Sequence, residues 1–133
     1  MSDADNSSKK TKPGTIGWVD MTTENASQIR EFYESVVGWQ SEATPVDDYL
    51  DYTISPAGGS DPVAGICHKK GANADVPGGW MIYLHVDDLA TSLENCEKLG
   101  GERVGDVREM GGYGKSCVIR DPSGAMCVLF ESL

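Results

Sequence analysis

The sequence predicts a mixed α+β fold in which two βαβββ modules form a curved mixed sheet around a cleft. Three observations support this prediction. Short runs alternate between apolar and polar residues, as strands do. Two longer segments carry apolar residues at helical spacing. The order of elements in the first half of the chain also recurs in the second half, and one such module has too few strands to bury a core alone.

The first half of the chain begins with residues 15–22, whose alternation predicts a strand. Asn25 has the pattern of a helix N-cap, with Gln28 three residues later as in a capping box. Gly38 stands where a helix ends in the left-handed conformation, so residues 26–37 are predicted to be a helix. Three further strands are expected at about residues 39–45, 49–55 and 62–68.

The second half repeats this order after a polar linker at residues 69–79. Asp88 is placed to cap a second helix, which Gly100 and Gly101 end. The halves superpose at an offset of 63 residues, which brings Trp18 onto Met81. The predicted strands of this half are residues 80–86, 102–110, 114–120 and 125–131.

The organisation predicted from these elements is one domain, residues 14–133, after a flexible arm at residues 1–13. Within it, the first module covers about residues 15–68 and the second about residues 80–132.

The net charge is −10, from 11 basic and 21 acidic residues, and this disfavours nucleic acids and anionic membrane surfaces as partners. No apolar run approaches the roughly 20 residues that span a bilayer. Since the first residues also lack an apolar stretch, the cytoplasm is the expected location. The four cysteines show no C-x-x-C spacing, and we expect them to be small buried side chains.

Several local motifs occur in a recognisable order along residues 15–132. They are Phe32-Tyr33 with Gly38-Trp39, Val86-Asp87-Asp88-Leu89, and Asp121-Pro122-Ser123-Gly124-Ala125. Together with the repeat, they resemble the vicinal-oxygen-chelate superfamily of glyoxalases, bleomycin-resistance proteins and extradiol dioxygenases. Within it, a poorly characterised branch is similar in three further motifs: Trp18-Val19-Asp20-Met21, Val63-Ala64-Gly65, and Trp80 with Tyr83.

The resemblance implies where a metal would bind, because metal-dependent members take one His or Glu ligand from the first and last strand of each module. Those positions fall here on Trp18, Met81 and Val128, while the fourth falls on Gly65 or, in a second alignment, on His68. Indole only donates, valine has no donor atom, and a thioether is a poor ligand for hard divalent ions. We therefore expect no metal and no other cofactor.

Strand alternation predicts an apolar and aromatic cleft for a small-molecule ligand. Asp20 and His85 are the candidate catalytic residues, since a carboxylate and an imidazole can transfer protons. A structural role for each, in backbone hydrogen bonds or at a strand edge, is the alternative. The candidate ligand-binding residues are Trp18, Met81, Tyr83, Tyr113, Met126, Val128 and Phe130.

Three functions stay open at this point. The first is a glyoxalase-like or dioxygenase-like enzyme of unassigned substrate that works without a metal. The second is a non-catalytic protein that sequesters a drug or metabolite, and the third is a metal-dependent lyase or dioxygenase. A homodimer is expected in each case, because small members of the superfamily commonly pair and strand edges favour pairing.

Overall fold

The structure, a computed structural model, describes residues 11–59 and 61–133. These residues form two compact units: Trp18–Met81, and Ile82–Leu133 together with the segment that ends at Gly17. Each unit is built on one βαβββ module, which confirms the predicted α+β fold. Residues 1–10 of the predicted arm lie outside the described residues. No helix in the described part of the chain is long and apolar enough to cross a membrane.

The first module has the strand order β2-β3-β4-β1. The β1–β4 pair is parallel and the other pairs are antiparallel, while the helix packs over β2, β3 and β4. Its elements are β1 (Ile16–Thr23), α1 (Ala26–Val37), β2 (Gln40–Val46), β3 (Tyr49–Ser55) and β4 (Ala64–His68).

The second module repeats the arrangement, with the strand order β5-β8-β7-β6. Again the first and last strands of the module pair in parallel and the rest are antiparallel. Its elements are β5 (Gly79–His85), α2 (Leu89–Lys98), β6 (Glu102–Glu109), β7 (Gly114–Arg120) and β8 (Met126–Ser132), with a short 3₁₀ turn (Gly71–Asn73) in the linker before them.

The two parallel pairs have the same register. Asp20 lies opposite Gly65 in the first module, and Tyr83 lies opposite Val128 in the second. The two pairs are related by the predicted offset of 63 residues, because Tyr83 corresponds to Asp20 and Val128 corresponds to Gly65. The repeat found in the sequence is therefore a repeat of strand register as well as of element order.

Alternation along the strands separates a helix-packed face from the other face, as predicted. Val19 and Met21 pack against the core under α1, and Leu84 and Val86 pack against the core under α2. Alternation places Ile82 on the same face, but Ile82 is 39% exposed. The helix α2 packs mainly over β6, β7 and β8.

The helix ends show one confirmed cap and one wrong prediction. Asp88 accepts a hydrogen bond from the Thr91 backbone N–H at the start of α2. Asn25 stands at the start of α1, but its side chain makes no capping bond, so the predicted capping box does not form. Its own N–H instead donates to Thr23 Oγ1. Gly38 ends α1 with a φ of 83°, as expected.

These two helix starts allow a matched test of capping. Asp88→Ala should lower the free energy of unfolding by about 1 kcal/mol, because the Thr91 N–H loses its acceptor. Asn25→Ala should have little effect, since it removes no capping bond. Urea unfolding of both variants measures the difference. Equal losses in the two variants would contradict this assignment of the caps.

Candidate functional site

The Asp20 carboxylate is held by an indole on its own strand. Trp18 Nε1 donates to Asp20 Oδ1 at 2.6 Å, and residues two apart on a strand share a face. Such a short distance is typical of a hydrogen bond to an ionised acceptor. The indole nitrogen at the first predicted ligand position is therefore engaged in positioning a carboxylate.

The strand register settles the fourth ligand position in favour of Gly65 over His68. Gly65 is the residue opposite Asp20, just as Val128 is opposite Tyr83 in the second module. A Cβ atom on Gly65 would overlap Asp20 Oδ1. The space for a ligand side chain at this position is thus filled by the carboxylate.

The donor set that metal-dependent members use does not fit these positions. Trp18 offers an N–H donor, Gly65 has no side chain, Val128 has no donor atom, and Met81 is a buried thioether. Within residues 11–59 and 61–133, no three His, Cys, Asp or Glu side chains are grouped closely enough to hold a metal ion. The residues present therefore do not match a site for a divalent cation.

His68 has a structural environment at the end of β4. Its Nδ1 lies 2.6 Å from the Leu50 carbonyl oxygen, which only accepts, so Nδ1 is the donor. The His68 backbone N–H donates to Asp51 Oδ1 at 2.8 Å. Asp51 is a site residue that was not predicted. Alternation along β3 is the signal that indicates it, because it places Asp51 on the face opposite the core residues Tyr52 and Ile54.

Three of the four thiols are poor nucleophiles. Burial raises the pKa of Cys67, and the charges of Asp20 and Asp51 and a hydrogen bond to Asp51 raise it further. Burial is likewise the main cause of the raised pKa of Cys117 and of Cys127. Because the thiolate is the reactive form, these three side chains are better described as small packing groups. Cys117 is buried as predicted, whereas Cys67, Cys96 and Cys127 are only partly buried.

His85 has the most unusual environment of the predicted site residues. Its Nδ1 is buried without a hydrogen-bond partner. The ring packs edge-on against Phe130 at 5.1 Å between centroids, and it fills the place where a Cβ of Gly17 would lie. Burial lowers the pKa of His85, because loss of water disfavours the imidazolium form. The imidazole is therefore neutral at neutral pH and keeps one unused hydrogen-bonding atom.

One predicted residue of β8, Phe130, packs against this ring. Phe130 contacts Tyr83 as well, with 6.4 Å between the ring centroids. Val128 is buried, and the Met126 sulfur lies 3.8 Å from Arg120 Nη2. Phe130 thus contacts both the imidazole of His85 and the phenol ring of Tyr83.

Tyr113 lies at the tip of the β6–β7 hairpin and is 80% exposed. Its backbone N–H donates to the Met110 carbonyl at 3.1 Å, and Met110 N–H donates to Gly114 at 2.8 Å. The glycine-rich segment is therefore a tight turn, as its composition predicts. A ligand-covering role for the Tyr113 ring stays a prediction.

Two cavities occupy equivalent positions in the repeat, one in each unit. Each lies where the first strand of a module leads into its helix. The first, of about 520 Å³, is bordered by Met21, Thr22 and Asn25 among others. The second, of about 500 Å³, is bordered by their equivalents Leu84, His85 and Asp88 among others. His85 thus replaces Thr22, which gives the second cavity an imidazole at its border.

The paired modules, with their repeated strand register, are the architecture of the vicinal-oxygen-chelate superfamily that the motifs resemble. The chain belongs to the glyoxalase-like domain family, whose profile matches residues 18–130.

Two curated relatives give the range of similarity in sequence. The putative glyoxylase CFP32 of Mycobacterium tuberculosis is 29% identical over 122 residues, which are 91% of this chain and 47% of the relative. The anthracycline biosynthesis protein DnrV of Streptomyces peucetius is 28% identical over 115 residues, which are 85% of this chain and 40% of the relative. The chain thus spans less than half the length of these relatives.

Solved structures support the fold at low sequence identity. A methylmalonyl-CoA epimerase from Mycobacterium tuberculosis matches with a TM-score of 0.54 and 18% identity, covering 90% of this chain and 88% of the epimerase. A glyoxalase/bleomycin resistance protein/dioxygenase superfamily member from Vibrio splendidus matches with a TM-score of 0.56 and 11% identity, covering 86% and 96%.

The environment of His85 predicts a pH dependence of stability. Its folded-state pKa lies below the ordinary value of about 6.5, so the unfolded chain binds a proton that the folded chain resists. The free energy of unfolding should therefore fall as the pH drops below that value, while above it His85 contributes no slope. Urea unfolding between about pH 8 and pH 5 should show a shallower decline in His85→Gln than in the native chain. Identical declines would show that His85 does not cause the effect.

Proposed function

We propose that this chain binds a small organic molecule and that His85 exchanges a proton with it. The buried Nδ1 of His85, which lacks a partner, is the observation that supports this proposal. A buried polar atom without a hydrogen bond costs roughly 1–3 kcal/mol. A ligand that forms a hydrogen bond with the imidazole would offset this cost and would explain why a histidine occupies the position.

The surroundings of His85 suit a general base. Because burial lowers its pKa, the imidazole is neutral at neutral pH and able to accept a proton. Phe130 packs against the ring. His85 also borders a cavity of about 500 Å³, lined by Leu84, Val86 and Leu129 among others, which is large enough for a small ligand.

Asp20 is a separate candidate proton acceptor, which lies in the Trp18–Met81 unit. The hydrogen bond from Trp18 fixes the direction of its carboxylate, and the absence of a side chain on Gly65 gives it room. A carboxylate held in this way is pre-organised for an interaction with a ligand.

The proposed reaction does not use a bound metal. Trp18, Gly65, Met81 and Val128 stand at the positions that metal-dependent members use, and none of them supplies a suitable donor. The chemistry that remains is proton transfer by side chains, for example at a carbon next to a carbonyl group. The names of the relatives suggest aldehyde adducts, thioesters of coenzyme A and anthracyclines as compounds to test.

Sequestration without chemistry is a second candidate, favoured by one electrostatic observation. Burial is the main cause of the raised pKa of Cys67 and of Tyr49, and nearby carboxylates raise both further: Asp20 and Asp51 for Cys67, and Asp51, Asp47 and Asp48 for Tyr49. One cation, Lys70, also lies near this surface, with its Nζ 5.6 Å from the Tyr49 ring centroid. A negative potential on this side of the first module would attract a cationic ligand. Binding of a cation without turnover is the outcome that this function predicts.

Histidine NMR provides the test, because the chain has two histidines and His68 acts as an internal control. The probes are the hemithioacetal of methylglyoxal and glutathione, methylmalonyl-CoA, and the cationic anthracycline daunorubicin. We expect a probe to shift the His85 signals and not those of His68. Exchange of a probe C–H with deuterated solvent should fall by about 10²-fold or more in His85→Gln and persist in His68→Gln.

The same experiment separates the alternatives. Dialysis against a chelator should leave both the signal shift and the exchange unchanged. Loss of exchange that an added divalent metal restores would support metal-dependent chemistry instead. Binding of daunorubicin alone, without exchange of any probe in the native chain, would support sequestration.

We also propose that the chain forms a homodimer. The helix α1 exposes the apolar side chains of Phe32, Val36 and Val37, which are 53%, 64% and 51% exposed. Neighbouring exposed apolar side chains are typical of protein interfaces.

Light scattering should therefore give about twice the chain mass of 14.3 kDa at micromolar concentration. Val36→Glu should reduce this mass toward that of the monomer, because it places a charge within the apolar patch. Ser35→Glu, which adds the same charge at the exposed neighbouring residue, is the matched control. A monomeric mass for the native chain would refute the proposal.

A further inference from the structure

Two glycines within strands have backbones that do not require glycine. Gly17 lies in β1 and Gly65 lies in β4, and neither has a positive φ. Glycine inside a strand costs conformational entropy and packs no side chain, so it often marks a close approach by another group. The reason for these two glycines must therefore lie in their neighbours.

The neighbour of each glycine is one of the two candidate ionisable groups. The Nε2 and Cδ2 atoms of His85 fill the place of a Cβ on Gly17, and Oδ1 of Asp20 fills that of a Cβ on Gly65. Trp18 Nε1, which donates to the same carboxylate, also lies 3.6 Å from the Cβ position of Gly65.

The internal repeat gives an independent comparison for Gly65. The residues equivalent to Asp20 and Gly65 are Tyr83 and Val128, and they form the matching pair in the second module. A side chain is therefore compatible with this strand position when no carboxylate has to fit beside it.

The same comparison holds for Gly17 and His85. At the offset of 63 residues, the equivalents of these two are Trp80 and Thr22. The glycine in β1 and its ionisable partner in β5 lie in one compact unit, and their equivalents Trp80 and Thr22 lie in the other. The βαβββ fold itself thus demands neither glycine.

From this we infer that Gly17 and Gly65 are positioning residues, whose missing side chains let the imidazole of His85 and the carboxylate of Asp20 take up their places, each within its own unit. This inference rests on the proposed function of those two groups. Neither glycine is assigned a contact with the ligand. A methyl group at either position displaces the ionisable group, while the chemistry of that group is unchanged.

Gly17→Ala is tested by NMR titration of the two imidazoles. With its ring displaced toward water, His85 should show a pKa that rises toward the ordinary value, while the titration of His68 is unchanged. Gly112→Ala is the control, because a Cβ there meets no atom within 4 Å and the residue has no positive φ. An unchanged His85 titration in a folded Gly17→Ala variant would overturn the inference for this pair.

A double-mutant cycle covers the case in which Gly17→Ala is too unstable to titrate. The equivalent residue Thr22 shows that threonine fits the strand position of His85. We expect Gly17→Ala to lower the urea midpoint in the native chain and to have a smaller effect in the His85→Thr background. An equal loss in both backgrounds, or an unfolded double variant beside a folded His85→Thr, would show that the glycine serves the backbone instead.

Gly65→Ala is tested through the indole N–H of Trp18. Displacement of the Asp20 carboxylate should weaken the 2.6 Å hydrogen bond and move the indole proton signal upfield. Trp39 and Trp80 provide unchanged reference signals. An unmoved Trp18 signal in a folded variant would overturn this half of the inference. All these measurements need no ligand, so they remain decisive even if His85→Gln leaves proton exchange intact and the proposed function fails.

Discussion

The parallel pairing of the first and last strands in each module is the constraint on which the site depends. It sets Asp20 opposite Gly65 and Tyr83 opposite Val128, so it decides which side chains share a face and which can touch. A shift of one residue would turn Asp20 toward the core and expose Val19 or Met21 instead. The apolar residues that pack under α1 therefore fix the position of the carboxylate indirectly, by fixing the register of β1.

Duplication of the module has left two versions of the same framework with different side chains. At equivalent strand positions, the first module has a carboxylate where the second has a phenol, and the second has an imidazole where the first has a hydroxyl. The positions predicted to correspond to the metal ligands of other members carry indole, thioether, isopropyl and hydrogen. This divergence is compatible with the preserved register because the helix-packed face, which stabilises each module, is kept separate from the face that varies.

Local sequence signals predicted much of this fold. The helix over residues 26–37 and the strand over residues 49–55 have the predicted bounds, since their periodicity and the left-handed Gly38 are local properties. The capping box at Asn25 failed because the backbone there departs from the usual N-cap geometry, with a φ of −119° and a ψ of 51°. The periodicity of apolar residues locates the helix, but it does not predict the backbone angles of the residue that precedes it.

The site was less predictable, because its defining contacts join residues far apart in the chain. Asp20 and His85 were recognisable as ionisable residues on strands, yet the indole bond to Asp20 and the unpartnered Nδ1 of His85 depend on packing. Gly17 gives a usable signal in the sequence, because it interrupts an alternating strand without any turn residue beside it. Such a glycine indicates that another group lies close to the backbone. The choice between Gly65 and His68 also required the pairing of β1 with β4, which no local pattern specifies.

The protonated cysteines have a consequence for how the chain responds to oxidants. Peroxides and alkylating agents react with thiolates, and burial keeps Cys67, Cys117 and Cys127 in the thiol form in the folded chain. Their reactivity is then governed by how often the surrounding strands open, and not by the oxidant alone. Oxidation of these three cysteines should therefore be slow while the sheet is folded and faster when its strands open.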